Sequence, residues 1–423
     1  MILRKMIFRL FAFQKISNKH LLLQLILTLY LPVFLYAQIG LKLTHETLFD
    51  SNVFNNYENI SDIVHQPNIH VFYQISKDNI AIQTGYNGSL VTFSESQNRQ
   101  FHSHQIEIAG KHLLSKNGSS LSWGISGSKR FNKSDYDYYD NQYGNGFITY
   151  LNNTNPYRIY SFGIEGDFRK YDYLKQFNYW TAEGSIRYSI FFQSKTTLIG
   201  RWIAGFKQFT EPFYSEEEII DVLDTYGKGK GHGSGKGSGS NQNMAEEVTQ
   251  VVRIESPRQA VFKWIGILRL AQSLGSQTGL AIQGEIQKIP EGGGRFLSGQ
   301  DSGYENNDVL FDDPYSYERL GASLELTKVL PWKIVGKTGF EYAEKTYDRP
   351  VYDWDGNPLE GINRSDKIKL FWLSFKKSIF LNGVIRRLVF SFNHYNASNQ
   401  SNDLYYKYTQ QINQLSMQLV LGP

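Results

Sequence analysis

The chain has 423 residues, of which 41% are hydrophobic, 15% aromatic and 20% charged, with 28 Tyr, 28 Phe, 7 Trp and no Cys. The missing Cys excludes disulfide scaffolds, thiol nucleophiles, zinc ribbons and iron–sulfur sites, and the aromatic surplus excludes a disordered chain. A mean hydropathy of −0.40 argues against a bundle of membrane helices, and the formal charge of +4 would invite a nucleic-acid partner.

That charge is local. Residues 1–37 carry Arg4, Lys5, Arg9, Lys15 and Lys19, no acid, and the apolar run Leu21–Ala37. A basic start, a short apolar stretch and a small residue before Gln38 read as a secretory signal peptide cleaved after Ala37. A transmembrane anchor is the rival, but the run is short for a span and contains Pro32. Removing five of the 44 basic residues and none of the 40 acidic ones leaves −1. No basic excess remains, so nucleic acid is not an expected partner.

From residue 38 onward the recurring pattern is period-two alternation, the mark of strands with one apolar and one polar face. In 157–171, Tyr160, Phe162, Ile164 and Phe168 oppose Ser161, Gly163, Glu165 and Asp167. In 177–192, Trp180, Ala182, Gly184, Ile186, Tyr188, Ile190 and Phe192 oppose Tyr179, Thr181, Glu183, Ser185, Arg187 and Ser189. In 277–290, Leu280, Ile282 and Ile286 oppose Gln283, Glu285 and Gln287. Short turns rich in Gly, Asn, Asp and Pro alternate with eight longer polar segments: 50–61, 94–99, 133–141, 172–176, 210–256, 291–313, 348–365 and 399–403. Eight long loops and seven short turns predict about sixteen antiparallel strands. A two-sheet sandwich rarely exposes a tall apolar band, and no propeller repeat is present. The expected fold is all-β, a transmembrane antiparallel barrel over 38–423 with a Gly/Lys-rich insertion at 210–256.

The segment Glu46-Thr47-Leu48-Phe49-Asp50-Ser51-Asn52-Val53-Phe54 is similar to the first strand and loop of Gram-negative outer-membrane barrels, and the whole of 38–423 resembles the porin and exporter kind in pattern. The resemblance implies an outer-membrane location, termini in the periplasm, long loops outside, lipid and lipopolysaccharide around the wall, and delivery by the barrel-insertion machinery. In that family the last strand usually ends in an aromatic that addresses this machinery. Here Leu415, Met417, Leu419 and Leu421 alternate outward, but the chain closes on Leu421-Gly422-Pro423.

Function is sought on the polar face. The alternation turns Lys42, Glu46, Glu107, Glu183, Arg187, Arg201, Lys207, Lys263, Arg269, Glu285, Arg319, Glu325, Lys333, Lys337 and Glu341 inward. Among these, Arg187, Arg201, Arg269, Lys333, Lys337, Glu183, Glu285 and Glu325 are the candidates for a lumen that selects small hydrophilic solutes. The same residues would serve equally to close the lumen by mutual ion pairs. Arg187 and Arg201 face each other across the turn at 193–195. Lys228, Lys230, His232 and Lys236 lie in the Gly/Lys tract, which departs from the phosphate-loop pattern because Gly237 follows Lys236. The tract reads as a solvated loop or a gate.

Asp135, Asp137 and Asp140, and Asp353, Asp355 and Asn357, miss the calcium-loop spacing. His102, His104 and His112 share the outward face with Ile106 and Ile108, and no catalytic motif occurs. Neither a metal, a cofactor nor an enzymatic activity is expected. The functional expectation is a porin-like channel. The alternatives are a non-conducting surface anchor, adhesin or assembly partner, and the export barrel of a polysaccharide system. A homo-oligomer would need a flat apolar patch on the outer wall.

Overall fold

The computed structural model describes residues 37–115, 118–212, 253–255, 258–298, 310, 312–353 and 358–422. Residues 1–36 of the segment expected to be a signal peptide, and the tract holding Lys228, Lys230, His232 and Lys236, lie outside them. The strands are β1 (Ala37–Asp50), β2 (Asp62–Lys77), β3 (Ile80–Phe93), β4 (Phe101–Leu113), β5 (Ser120–Asn132), β6 (Asn141–Asn155), β7 (Arg158–Tyr171), β8 (Tyr179–Phe191) and β9 (Thr196–Phe209). They continue as β10 (Arg253–Glu255), β11 (Ala260–Ser273), β12 (Thr278–Lys288), β13 (Phe296–Ser298), β14 (Tyr317–Leu330), β15 (Ile334–Tyr352), β16 (Pro358–Phe380), β17 (Ile385–Ser401) and β18 (Tyr408–Leu421).

Among the described residues, sixteen of these strands form one closed antiparallel barrel, while β10 and β13 pair with each other. Closure is made by β1 against β18, from Leu41↔Leu421 to Asp50↔Ile412. A ring has no edge, so each wall strand has its backbone partners on both sides. No helix among the described residues is long and apolar enough to cross a membrane.

The alternation in sequence becomes an inside and an outside. Ile106 (68% exposed), Ile125 (62%) and Ile164 (72%) stand on the outer wall with Phe162, Trp202, Leu268, Leu320 and Met417. Such a band is unfavourable in water over this area and is satisfied by hydrocarbon. The short turns use the left-handed conformations expected of tight hairpins, as at Asp78 (φ 50°) and Gly383 (φ 117°).

The segment expected to loop at 348–365 is mostly strand, because β15 and β16 extend beyond their neighbours. The alternation there is polar on both sides, which disguised it. Arg364 and Asp366 point inward and bond each other at 2.5 Å, while Arg349 pairs with Asp403 at 3.2 Å.

At the long-loop end the connections fold back over the lumen. Val53 and Phe54 pack on Val64, Val91, Phe93 and Phe101. Tyr139, Tyr171, Leu174 and Phe177 gather around Leu310. Each fully buried side chain of this size contributes ~1.5–3 kcal/mol, so these loops are anchored by cores of their own. The Asp50-Ser51-Asn52 corner holds the first of them: Gln410 Nε2 donates to both Asp50 carboxylate oxygens at 3.0 Å and to the Asn52 carbonyl at 2.9 Å.

Candidate functional site

The charged lumen wall runs over β8, β9, β11, β12, β14 and β15, and most of its predicted members are paired there. Glu183 does not turn to Arg187 on its own strand; it accepts from Lys263 at 2.9 Å. Gly205 lies directly opposite both residues, so the pair closes over a position without a side chain. Glu285 takes Arg319 at 2.6 Å, and the same guanidinium donates to Glu341. Glu325 sits between Arg269 at 3.0 Å and Lys337 at 3.6 Å. Arg187 and Arg201 are different. They are cross-strand partners, both exposed, and among the described residues neither joins an ion pair. Two cations held side by side raise the local potential for an anion.

Lys333 departs from its expected place on the wall. Pro331, Trp332 and Lys333 make the β14–β15 turn, with Trp332 and Lys333 at φ 57° and 58°. Pro331 ends the β14 pairing, so the alternation does not carry through it, and Lys333 is exposed at the short-turn end.

The loop that does enter the lumen was not singled out in the sequence. It joins β12 to β14, and its described part turns inward on two adjacent acids. Asp313 meets Lys207 at 2.5 Å with both side chains at most 2% exposed. The Lys207 ammonium also lies 3.8 Å from the centre of the Tyr179 ring and 4.9 Å from that of Phe209, a desolvated cation–π box. Asp312 takes Lys345 at 2.5 Å and the Tyr347 hydroxyl at 3.1 Å. Next along, the Tyr315 hydroxyl donates to Glu183 at 2.8 Å, and Lys263 lies 3.9 Å over its ring. Burial, with the Glu183 carboxylate beside it, pushes the Tyr315 phenol far above its ordinary value, so it remains a donor. Arg295, 1% exposed, fastens the other arm by donating to the carbonyls of Gln176 and Glu211, each at 2.9 Å.

Gly205 makes this docking sterically feasible. A Cβ there would lie 2.5 Å from the Tyr315 hydroxyl oxygen and 3.2 Å from Glu183 Oε1. A Gly205→Leu substitution is therefore expected to expel Tyr315 and leave the wall strands in register. Limited proteolysis read by mass spectrometry should then find cleavage at 310–316 in the variant and none in the parent protein.

The opposite half of the lumen, from β1 to β4 and β16 to β18, is built of amides. It borders a cavity of about 1030 Å³ lined by Gln66, Asn68, Asn87, Gln410, Gln414 and Gln418 together with Lys42, Glu46, His70 and Glu107. Glu46 is held by Gln414 at 2.7 Å and Ser416 at 3.3 Å. His70 Nε2 stands 3.3 Å from Glu107.

The remaining sequence candidates have structural employment. His104 Nδ1 meets the Tyr86 hydroxyl at 2.7 Å, and His102 packs on Phe131 with ring centres 5.1 Å apart. His112 Nε2 is 2.8 Å from the Asn79 amide. Asp140 caps the β5 end by accepting from the Asn132 backbone at 2.6 Å. Asp355 and Asn357 lie outside the described residues.

No known family model matches the chain, and no curated protein matches it. The solved structures it is similar to include three proteins of Pseudomonas aeruginosa. These are OprD (9% identity, 92% of this chain and 94% of that one, TM-score 0.45), OccK8, also called OprE (10%, 92% and 98%, 0.47), and OpdK (8%, 92% and 99%, 0.42).

Proposed function

We propose that this barrel is a bacterial outer-membrane channel for small hydrophilic solutes. The observation that carries the reading is the two-faced wall: hydrocarbon-compatible outside, and hydrogen-bonding inside around a cavity of about 1030 Å³. A soluble container would not present that outer band to water, and a barrel serving solely as an anchor would not need a polar cavity inside. The charged wall sets selectivity chiefly through Arg187 and Arg201, since the other predicted charges are largely neutralised by partners. Long loops then face the exterior and short turns the periplasm, as the porin-like arrangement implies.

The test is single-channel conductance of the purified protein in a planar bilayer. Stable ohmic steps are expected, with anion preference that falls in Arg187→Glu and Arg201→Glu while the step pattern persists. A second reading, a non-conducting barrel, is favoured by the buried pairs Lys207–Asp313 and Arg364–Asp366 that tighten the long-loop end. Electrical silence of a barrel that migrates as folded in unheated gel samples would establish that reading instead.

A further inference from the structure

We infer that the amide-lined cavity is a binding site for short neutral oligosaccharides, an assignment of substrate class that rests on the channel reading above. The cavity lining carries two chemistries. On β2 and β3, Gln66, Asn68 and Asn87 project into it, and none of their side chains makes a hydrogen bond among the described residues. Each amide offers donors and an acceptor together, which suits a hydroxyl that must both give and receive. On β16, β17 and β18, Leu370, Tyr395, Ala397 and Ile412 form an apolar strip bordered by Gln410 and Gln414, with Leu370 paired with Ala397 and Tyr395 with Ile412.

A sugar ring has this same division. Its rim carries hydroxyls, and its faces carry C–H groups that lie well on apolar and aromatic surface. The lining is mainly hydrogen-bonding with a smaller apolar strip, and the volume of about 1030 Å³ lies just above the usual ligand-pocket range of about 300–1,000 Å³.

Charge excludes the anionic alternative. Lys42 enters the cavity and has no ion-pair partner among the described residues, but Glu46, Asp50 and Glu107 also line it. A carboxylated or phosphorylated solute would meet three acids for one lysine. A neutral glycan instead finds carboxylates already oriented as acceptors, Glu46 by Gln414 and Asp50 by Gln410. The unpaired Arg187 and Arg201 lie on β8 and β9, about half the ring away from β1 and β18, so they steer ions without governing this side.

The experiment is titration calorimetry of the detergent-solubilised protein with maltotriose, which reports binding whether or not the barrel conducts. Saturable binding is expected, absent for a polyethylene glycol of matched size and at least tenfold weaker for trigalacturonate. Asn68→Ala and Asn87→Ala should each weaken it by about tenfold, the loss of one well-made hydrogen bond, with unchanged heat-modifiable migration as the check on folding. No heat with maltotriose, equal binding of polyethylene glycol, a preference for trigalacturonate, or indifference to both substitutions in folded protein would each overturn the assignment. Binding without conductance would sink the channel reading and leave the site standing. Conductance without binding would do the reverse.

Discussion

Asp313→Ala is expected to undock the β12–β14 loop and to raise single-channel conductance more than any other point substitution. Its partner Lys207 is fully enclosed and boxed by Tyr179 and Phe209. Removing one member of a buried pair leaves the other charge uncompensated, at a cost of about 3–5 kcal/mol. The sixteen-stranded wall has no cheap rearrangement to offer. The loop has one: moving out lets water reach Lys207. The loss should therefore register as local opening, seen as faster amide exchange at 312–316, with the barrel's midpoint in denaturant changed much less. The double variant Lys207→Met with Asp313→Leu should restore protection, since replacing both charges with apolar groups of similar shape is often neutral. Protection unchanged in Asp313→Ala would mean that Arg295, Tyr315 and the Asp312 contacts to Lys345 and Tyr347 suffice to hold the loop.

Arg319→Met is expected to do two things at once. Arg319 holds Glu285 and Glu341 on the same guanidinium, across Gly321, where a Cβ would come 3.2 Å from Nη1. Without it, two carboxylates face each other in a partly desolvated wall. Leaving such groups unsatisfied costs about 1–3 kcal/mol, read as a lower denaturation midpoint in lipid vesicles. The same two charges, no longer masked, should move the reversal potential in a salt gradient toward cations. Arg187→Glu should shift selectivity without the stability loss, because Arg187 leaves no partner behind. If Arg319→Met changed stability but not reversal potential, ions would be passing elsewhere in the lumen.

Strand number and facing were legible in the sequence because alternation is a local signal. Trp180 and Ile186 are outward and Thr181 and Glu183 inward wherever the strand sits in the ring. Pairing is not local. Glu183 finds Lys263 eighty positions away, and nothing near Glu183 distinguishes that partner from Arg187. The entering loop was hidden for a related reason: Asp312 and Asp313 close the long polar segment 291–313, and the burial of Asp313 and the anchoring of Asp312 depend on cations supplied by β9 and β15. The usable clue was Gly205, an inward glycine between two inward charges, where a small residue implies that something else fills the space. Strand ends suffered wherever the wall is polar on both sides, as at Arg364 and Asp366.

The seam between β1 and β18 carries a consequence for biogenesis. Ten residue pairs join the first wall strand to the last, so ring closure brings together segments more than 360 positions apart. Contacts of that separation are slow to form because much chain must be ordered before they contribute. Until β18 arrives, β1 presents a row of unpaired amides and carbonyls, an adhesive border open to any other extended chain. Assembly is thus a race between self-closure and capture by a neighbour, and any factor that shields β1 while β18 is being delivered decides its outcome.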